Sequence, residues 1–345
     1  MRWRDNRGFS LVELLVAALI GLVLAGGAMV ILQRSIHVSD LAGALGEVHQ
    51  NGRVAVNLIS RDLSMAGTGI PHGGIQLPSG AGSSSSRFAC DSETCYVPAN
   101  TYDDNRLYSI TPGNGKGAVI NGASTDVVTI VFRDWDSRFD QYPLVHITPS
   151  GNQITFDSRT VPPVNDPVDG INLGDILILS NANGSAAGVV TGVNGDRVLF
   201  ANNDPLNFNQ PSAAFGNIAS LANPGTPAGQ YPPTRAFRVN VVTYFLDPAP
   251  NGNTVRLMRQ VNANPPAAVA ESIQDLQLTY DIFDETGGTA ADLPSAGGTP
   301  NQIRKVNVVV LARSLRPELG GGRYEHIALR TAVSARNLAF RDRYE

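Results

Sequence analysis

Leu14–Leu32 is a run of nineteen residues without a charge, rich in Leu, Val, Ala and Gly, and it constrains this chain more than any other segment. As a helix it rises about 28 Å, close to the ~30 Å hydrocarbon core of a bilayer. Arg2, Arg4 and Arg7 precede it against one acid, Asp5. The positive-inside bias then leaves the N-terminus in the cytoplasm and everything after Leu32 outside. A cleaved secretory signal is one reading, with Ala25-Gly26-Gly27 as a small-residue cleavage site. The run is longer than the usual ~7–15-residue apolar region of such signals, and Glu13 sits at its start. A plain membrane anchor has no use for that glutamate, because an intramembrane carboxylate costs about 2.5–3.5 kcal/mol at mid-depth and less near the interface. Glu13 is therefore a candidate functional residue in need of a positive partner. Ala17, Gly21 and Ala25 form a small-xxx-small ladder on one helix face. Such a ladder permits close helix approach, although ordinary membrane composition yields the same pattern.

Beyond Leu32 the period persists and becomes amphipathic. Val38, Leu41, Leu45, Val48, Gly52, Ala55, Ile59, Leu63 and Ala66 step by threes and fours, while Asp40, Glu47, Gln50, Arg53, Asn57 and Arg61 occupy the opposite face. Gly67 and Pro71 stop the helix. The spacing predicts one helix over about 9–66, its first half (9–32) transmembrane and its second half (33–67) laid on a sheet. Gly26-Gly27 is a weak point in it, and the interior Gly43, Gly46 and Gly52 argue against a free coiled coil.

After Pro71 the chain is rich in turn formers; 35 Gly and 22 Pro in 345 residues argue against an all-helical protein. Strands are predicted at 126–134, 144–148, 153–157, 175–180, 188–193, 197–201, 236–246, 254–261, 273–283, 304–314 and 326–335. Ser150-Gly-Asn, Asn194-Gly-Asp and Asn251-Gly-Asn read as hairpin turns. The expectation is an α+β chain whose long helix packs on a mostly antiparallel β domain over 68–345. Two stretches, about 202–234 and 284–302, read as loop insertions on the surface.

Chemistry-bearing clusters are sparse. Cys90 and Cys95 are the only cysteines. In an extracytoplasmic compartment a local disulfide is expected, with free thiols or a metal as the alternatives. His37, His49, His72, His146 and His326 form no HExxH pair, and Gly113-Asn-Gly-Lys-Gly117 lacks the spacing of a phosphate-binding loop. Asp281, Asp284 and Glu285 lie beside glycines but lack the alternating pattern of a calcium loop, so a solvated hairpin is expected there. Trp135, Phe139 and Tyr142 lie near Arg133 and Arg138, which raises a ligand-binding surface against simple packing. Neither catalysis, a cofactor nor a metal is expected. A net charge of −4 and a pI near 5.7 give no basic footprint for direct nucleic-acid binding.

Gly8-Phe9-Ser10-Leu11-Val12-Glu13 resembles the class III leader of type IV pilins and type II secretion pseudopilins. The resemblance implies that a prepilin peptidase cuts between Gly8 and Phe9, removing a leader over residues 1–8, and methylates Phe9. It also makes Glu13 the assembly glutamate, paired with the Phe9 amine of a neighbouring subunit. Without the leader the chain carries 23 basic and 29 acidic residues. Gln50–Gly67 resembles the end of the first helix in PilW-like minor pilins, and the runs Glu271–Asp281, Val306–Ser314 and Ala328–Asn337 resemble their C-terminal strands. The implied role is a minor pilin that primes pilus assembly near the tip. Its implied partners are other minor pilins, the major pilin, the prepilin peptidase and an inner-membrane assembly platform. It would be stored in the inner membrane with its β domain in the periplasm, then displayed on the cell surface. A J-type pseudopilin is the alternative, and a membrane-anchored binding protein or enzyme a third.

Overall fold

The computed structural model describes residues 10–71, 73–78, 106–210, 215–227, 229–249, 254–283, 289–293, 300–315, 317 and 324–339. One helix, Leu11–Met65, runs 55 residues with Ser10 as its N-cap. It ends where expected: Gly67 adopts φ +78, and its N–H donates to the Val131 carbonyl at 2.9 Å. The helix is thereby tied to the β domain at the residue where it stops.

Its two halves differ as the sequence expects, but the boundary lies further along the chain. Val48, Gly52, Ala55, Ile59, Asp62 and Leu63 are the buried residues, spaced by threes and fours. Before Val48 none is buried: Val38 is 63% exposed, and Leu41 and Leu45 are only partly covered. The stripe thus extends the periodicity of the packed half without itself being packed. Some 37 residues, Leu11–Glu47, bury nothing fully against the chain's own domain.

All strand pairs are antiparallel. The buried half of the helix lies on a four-stranded sheet ordered Thr289–Leu293, Ile273–Phe283, Ile303–Arg313, His326–Ser334. In the two central strands Leu276, Leu278, Val306, Val308, Val310 and Ala312, at every second position, point into the apolar cluster that also holds Val48, Ala55, Ile59 and Leu63 of the helix, as one-sided burial requires. The partner layer is a seven-stranded sheet built on the long strand Arg235–Pro248. That strand pairs with Val127–Arg133 on one side, and with Ile176–Asn181 and then Val255–Val261 on the other. Ile176-Leu-Ile-Leu179 is a continuous apolar run because it is buried on both faces, Ile176 and Ile178 in one cluster and Leu177 and Leu179 in another.

Asp126 joins the two sheets. Its N–H donates to the Leu276 carbonyl at 2.9 Å, and its carboxylate accepts from Leu278 N–H at 2.7 Å and Gly115 N–H at 2.7 Å. Burial pushes this carboxyl above the usual carboxylate range, and the two backbone donors only partly offset that. A raised acid favours the fold while protonated, so its contribution is present below the ordinary carboxyl pKa and lost as pH rises through the folded value. A carboxyl-carbon titration of the folded chain will place Asp126 above the ordinary aspartate value; a value at or below it would contradict the assignment.

Several sequence expectations need correction. The predicted strand at 188–193 is two strands in different sheets, Gly184–Val189 and Gly192–Asn194, separated at Val190 and Thr191. The stretch 202–234 is not a surface excursion: Leu206, Phe208, Ile218 and Leu221 are all buried. Its first part is held by the Asp204 carboxylate, which accepts from the N–H groups of Leu206, Phe208 and Asn209 at 3.0, 3.2 and 2.8 Å. The turn-forming composition is real, but its few apolar side chains fill the core beside the sheet. The stretch 284–302 contains the strand Thr289–Leu293, which extends the C-terminal sheet.

A candidate assembly helix and its anchor

Glu13 stands in the first turn of the helix. Its carboxylate accepts from the N–H of Ser10 at 3.0 Å, satisfying one of the donors that a helix start leaves unpaired. The negative charge also lies at the positive end of the helix dipole. Around it Leu11, Val12, Leu14 and Leu15 are all exposed, so the carboxylate is ringed by apolar side chains with no cover from the chain's own domain.

Ala17, Gly21 and Ala25 follow at four-residue spacing on exposed turns. At about 100° per residue, Gly21 points roughly opposite to Val48, Gly52 and Ala55, the face that meets the sheet. A Cβ added at Gly21, Gly26, Gly27, Gly43 or Gly46 would meet nothing within 4 Å. Gly52 is different: a Cβ there would stand 2.1 Å from Leu329 Cδ1 and 3.6 Å from the Ala312 Cβ. Its absent side chain lets the helix settle onto the strand His326–Ser334.

The anchor of the packed half is polar. Asp62 is fully buried among Ile59, Leu63 and the sheet. Its Oδ2 accepts from the Tyr244 hydroxyl at 2.6 Å and from Arg259 Nε at 2.8 Å. Arg61 Nη2 and Nε reach Oδ1 at 3.1 and 3.2 Å from the surface side. Tyr244 and Arg259 are cross-strand partners in the seven-stranded sheet, so one carboxylate on the helix binds two neighbouring strands. Burial, and next the charge of Asp62, hold the Tyr244 phenol protonated far above its ordinary range. For Arg259 burial opposes the charged form, but the bond and charge of Asp62 outweigh it and the guanidinium is raised. Asn337 Nδ2 adds a bond to the Ala66 carbonyl at 3.0 Å.

The other sequence candidates are scattered. Gly8, Phe9, His72, Cys90, Cys95, Asp284 and Glu285 lie outside the described residues. Asp281 lies in the strand Ile273–Phe283, where it pairs with Lys305 Nζ at 2.5 Å and accepts from Asn307 Nδ2 at 3.1 Å. That neutralises the carboxylate within the sheet. Trp135, Phe139 and Tyr142 do not share a surface role. Phe139 is fully buried, edge-on to Phe156, while the Arg133 guanidinium covers Trp135 at 4.6 Å and that of Arg159 covers Tyr142 at 4.5 Å. Among the described residues no three His, Cys, Asp or Glu converge as metal ligands would.

A β-rich domain on a helix whose first 37 residues bury no side chain fully in their own fold defines a class: an α+β protein with, among the described residues, one helix long and apolar enough to cross a bilayer. Residues 3–29 match the prokaryotic N-terminal methylation motif, which supports a pilin- or pseudopilin-like prepilin start. No curated protein and no solved structure matches the chain.

Proposed function

We propose that this chain is a PilW-like minor pilin, a subunit that waits in the inner membrane and then enters a type IV pilus, where it primes assembly near the tip. The observation that carries this reading is the exposed apolar surface of the helix. Leu11–Val38 leaves apolar side chains exposed over its whole circumference, and a lone carboxylate sits at its start. Lipid satisfies the apolar surface; only a positive partner satisfies Glu13. Cleavage between Gly8 and Phe9 creates such a partner, the Phe9 α-amine, on every processed copy. Ala17, Gly21 and Ala25 then let neighbouring helices approach closely. The N-terminus lies in the cytoplasm and the β domain in the periplasm before assembly, with Cys90 and Cys95 joined there. Its partners are the other minor pilins, the major pilin, the prepilin peptidase and the assembly platform.

Mass spectrometry of the mature N-terminus tests this directly. The expected species begins at N-methylated Phe9 and lacks Met1–Gly8. An intact Met1, or a start at Ala28, overturns the prepilin reading. Deletion of the gene separates the two filament roles: loss of surface pili is expected, whereas loss of protein secretion with pili intact assigns the chain to the J-type pseudopilins.

A further inference from the structure

The edges of the sheets are treated unequally. A sheet edge presents unpaired N–H and C=O groups, and folded proteins blunt it with short strands, proline, bulges or covering groups. The Gly184–Val189 edge is covered by the Asn209 side chain, which accepts from Val189 N–H at 2.9 Å and donates to the Val189 carbonyl at 2.8 Å. Ile110–Gly113 carries Pro112. Ala267–Glu271 and Thr289–Leu293 both break register against their neighbours, the second with Asp292 at φ +54. The edges of the small sheet, Gly192–Asn194 and His146–Ile147, are three and two residues long.

His326–Ser334 has none of these devices. It pairs with Ile303–Arg313 through nine consecutive positions without a register shift, and it contains no proline. Two bonds that continue the ladder fix its phase: Ser314 N–H donates to the Glu325 carbonyl, and Ala335 N–H to the Arg304 carbonyl, each at 2.8 Å. Antiparallel pairs alternate between bonded and non-bonded, so the odd-numbered residues bond inward. The N–H and C=O groups of His326, Ala328, Arg330, Ala332 and Ser334 therefore point away from the sheet. Among the described residues nothing accepts from or donates to them. The row spans about 30 Å, and only another extended backbone matches its spacing.

Arg330 decides what kind of chain fits. It is exposed, stands opposite Val309, and has no hydrogen-bond or ion partner among the described residues. Full-length antiparallel pairing with a second copy would set Arg330 against Arg330, an unfavourable like-charge pair. We propose that the His326–Ser334 edge takes up an extended segment of a different polypeptide as a further strand, with an acidic side chain opposite Arg330.

Amide exchange at single-residue resolution tests this on the full chain. It compares the chain purified in detergent with the chain in inner-membrane vesicles and in sheared fibres, measured separately. In detergent, Ala328, Arg330 and Ala332 exchange faster than Leu329, Thr331 and Val333. In at least one of the cell fractions the same three amides become 100-fold slower or more. Ala332→Pro removes an N–H that the fold does not use and blocks the edge. It should abolish the slowing at Ala328 and Arg330 while Leu329, Thr331 and Val333 stay slow. Should that variant lose the fold, Arg330→Glu must lower the protection at Ala328 and Ala332 at least 10-fold. Unchanged exchange in both fractions, or slowing that survives Ala332→Pro in a folded chain, overturns the proposal. So does slowing in detergent that rises with the chain's own concentration, which assigns the edge to a second copy. Protection in vesicles from cells without fibres supports the edge by itself. Fibres that contain the chain without protection overturn the edge and leave the filament reading standing.

Discussion

Asp62→Ala will lower the unfolding free energy of the full chain by about 3–5 kcal/mol. The carboxylate is fully buried, and Arg259, with its side chain only 20% exposed, relies on it for charge balance. Removing it leaves a largely desolvated guanidinium and a buried hydroxyl without their acceptor, whereas the alanine recovers little packing. Asp62→Asn should cost less, because one oxygen can still accept from Arg259 or Tyr244. Tyr244→Phe should cost about 1–2 kcal/mol, since the ion pair survives. Arg61→Ala should cost under about 1 kcal/mol, its side chain being 60% exposed and screened by water. Denaturant unfolding in detergent, followed by far-ultraviolet circular dichroism, gives this order. A loss below about 1 kcal/mol for Asp62→Ala would show that apolar packing alone holds the helix. The same network has a pH signature. Tyr244 stays neutral in the fold when an unfolded tyrosine ionises, so the stability it lends is complete below about pH 10 and falls as pH rises beyond it.

That anchor was half legible in the sequence. Asp62 was not singled out from the sequence, although an acid one residue before Leu63, inside the apolar stripe, is the same kind of signal that singled out Glu13. Its partners could not be read, because Tyr244 and Arg259 come together only through the register of two strands far along the chain. The helix itself was legible almost to the residue, since a long apolar run and a Gly-Pro stop are local features. Gly52 was read as an argument against a coiled coil; its actual reason, the approach of Leu329, is a long-range contact. The opposite error occurred over 202–234, where abundant Asn, Pro and Gly concealed Leu206, Phe208, Ile218 and Leu221. Composition reports how a segment turns, and burial depends on what lies beneath it. The N-terminal methylation motif was readable for a different reason. Its recognition rests on a short contiguous motif, not on folding, and the match over residues 3–29 covers that same stretch.

Glu13→Ala will leave the chain in the membrane and reduce its incorporation into fibres at least 100-fold. The two effects separate because one carboxylate enters two balances. For insertion the glutamate is a burden of up to about 2.5–3.5 kcal/mol, smaller here because it lies at the end of the apolar run, so alanine can only strengthen membrane retention. For assembly it is the one acid in the apolar half of the helix. Inside the chain it has only the Ser10 amide, a neutral donor, at 3.0 Å. Processing at Phe9 would expose a cationic amine one residue before that amide. In a filament core each amine and each carboxylate would be desolvated together, and the attraction between neighbours would offset two penalties that neither could bear alone. Glu13→Gln separates charge from shape: it keeps the length and the oxygen that caps Ser10 but cannot neutralise an amine. It should fail as the alanine variant does. Immunoblots of sheared fibres against the membrane fraction read both effects in one experiment. Wild-type incorporation of Glu13→Ala would end the pairing idea, and wild-type incorporation of Glu13→Gln alone would reduce Glu13 to a helix cap.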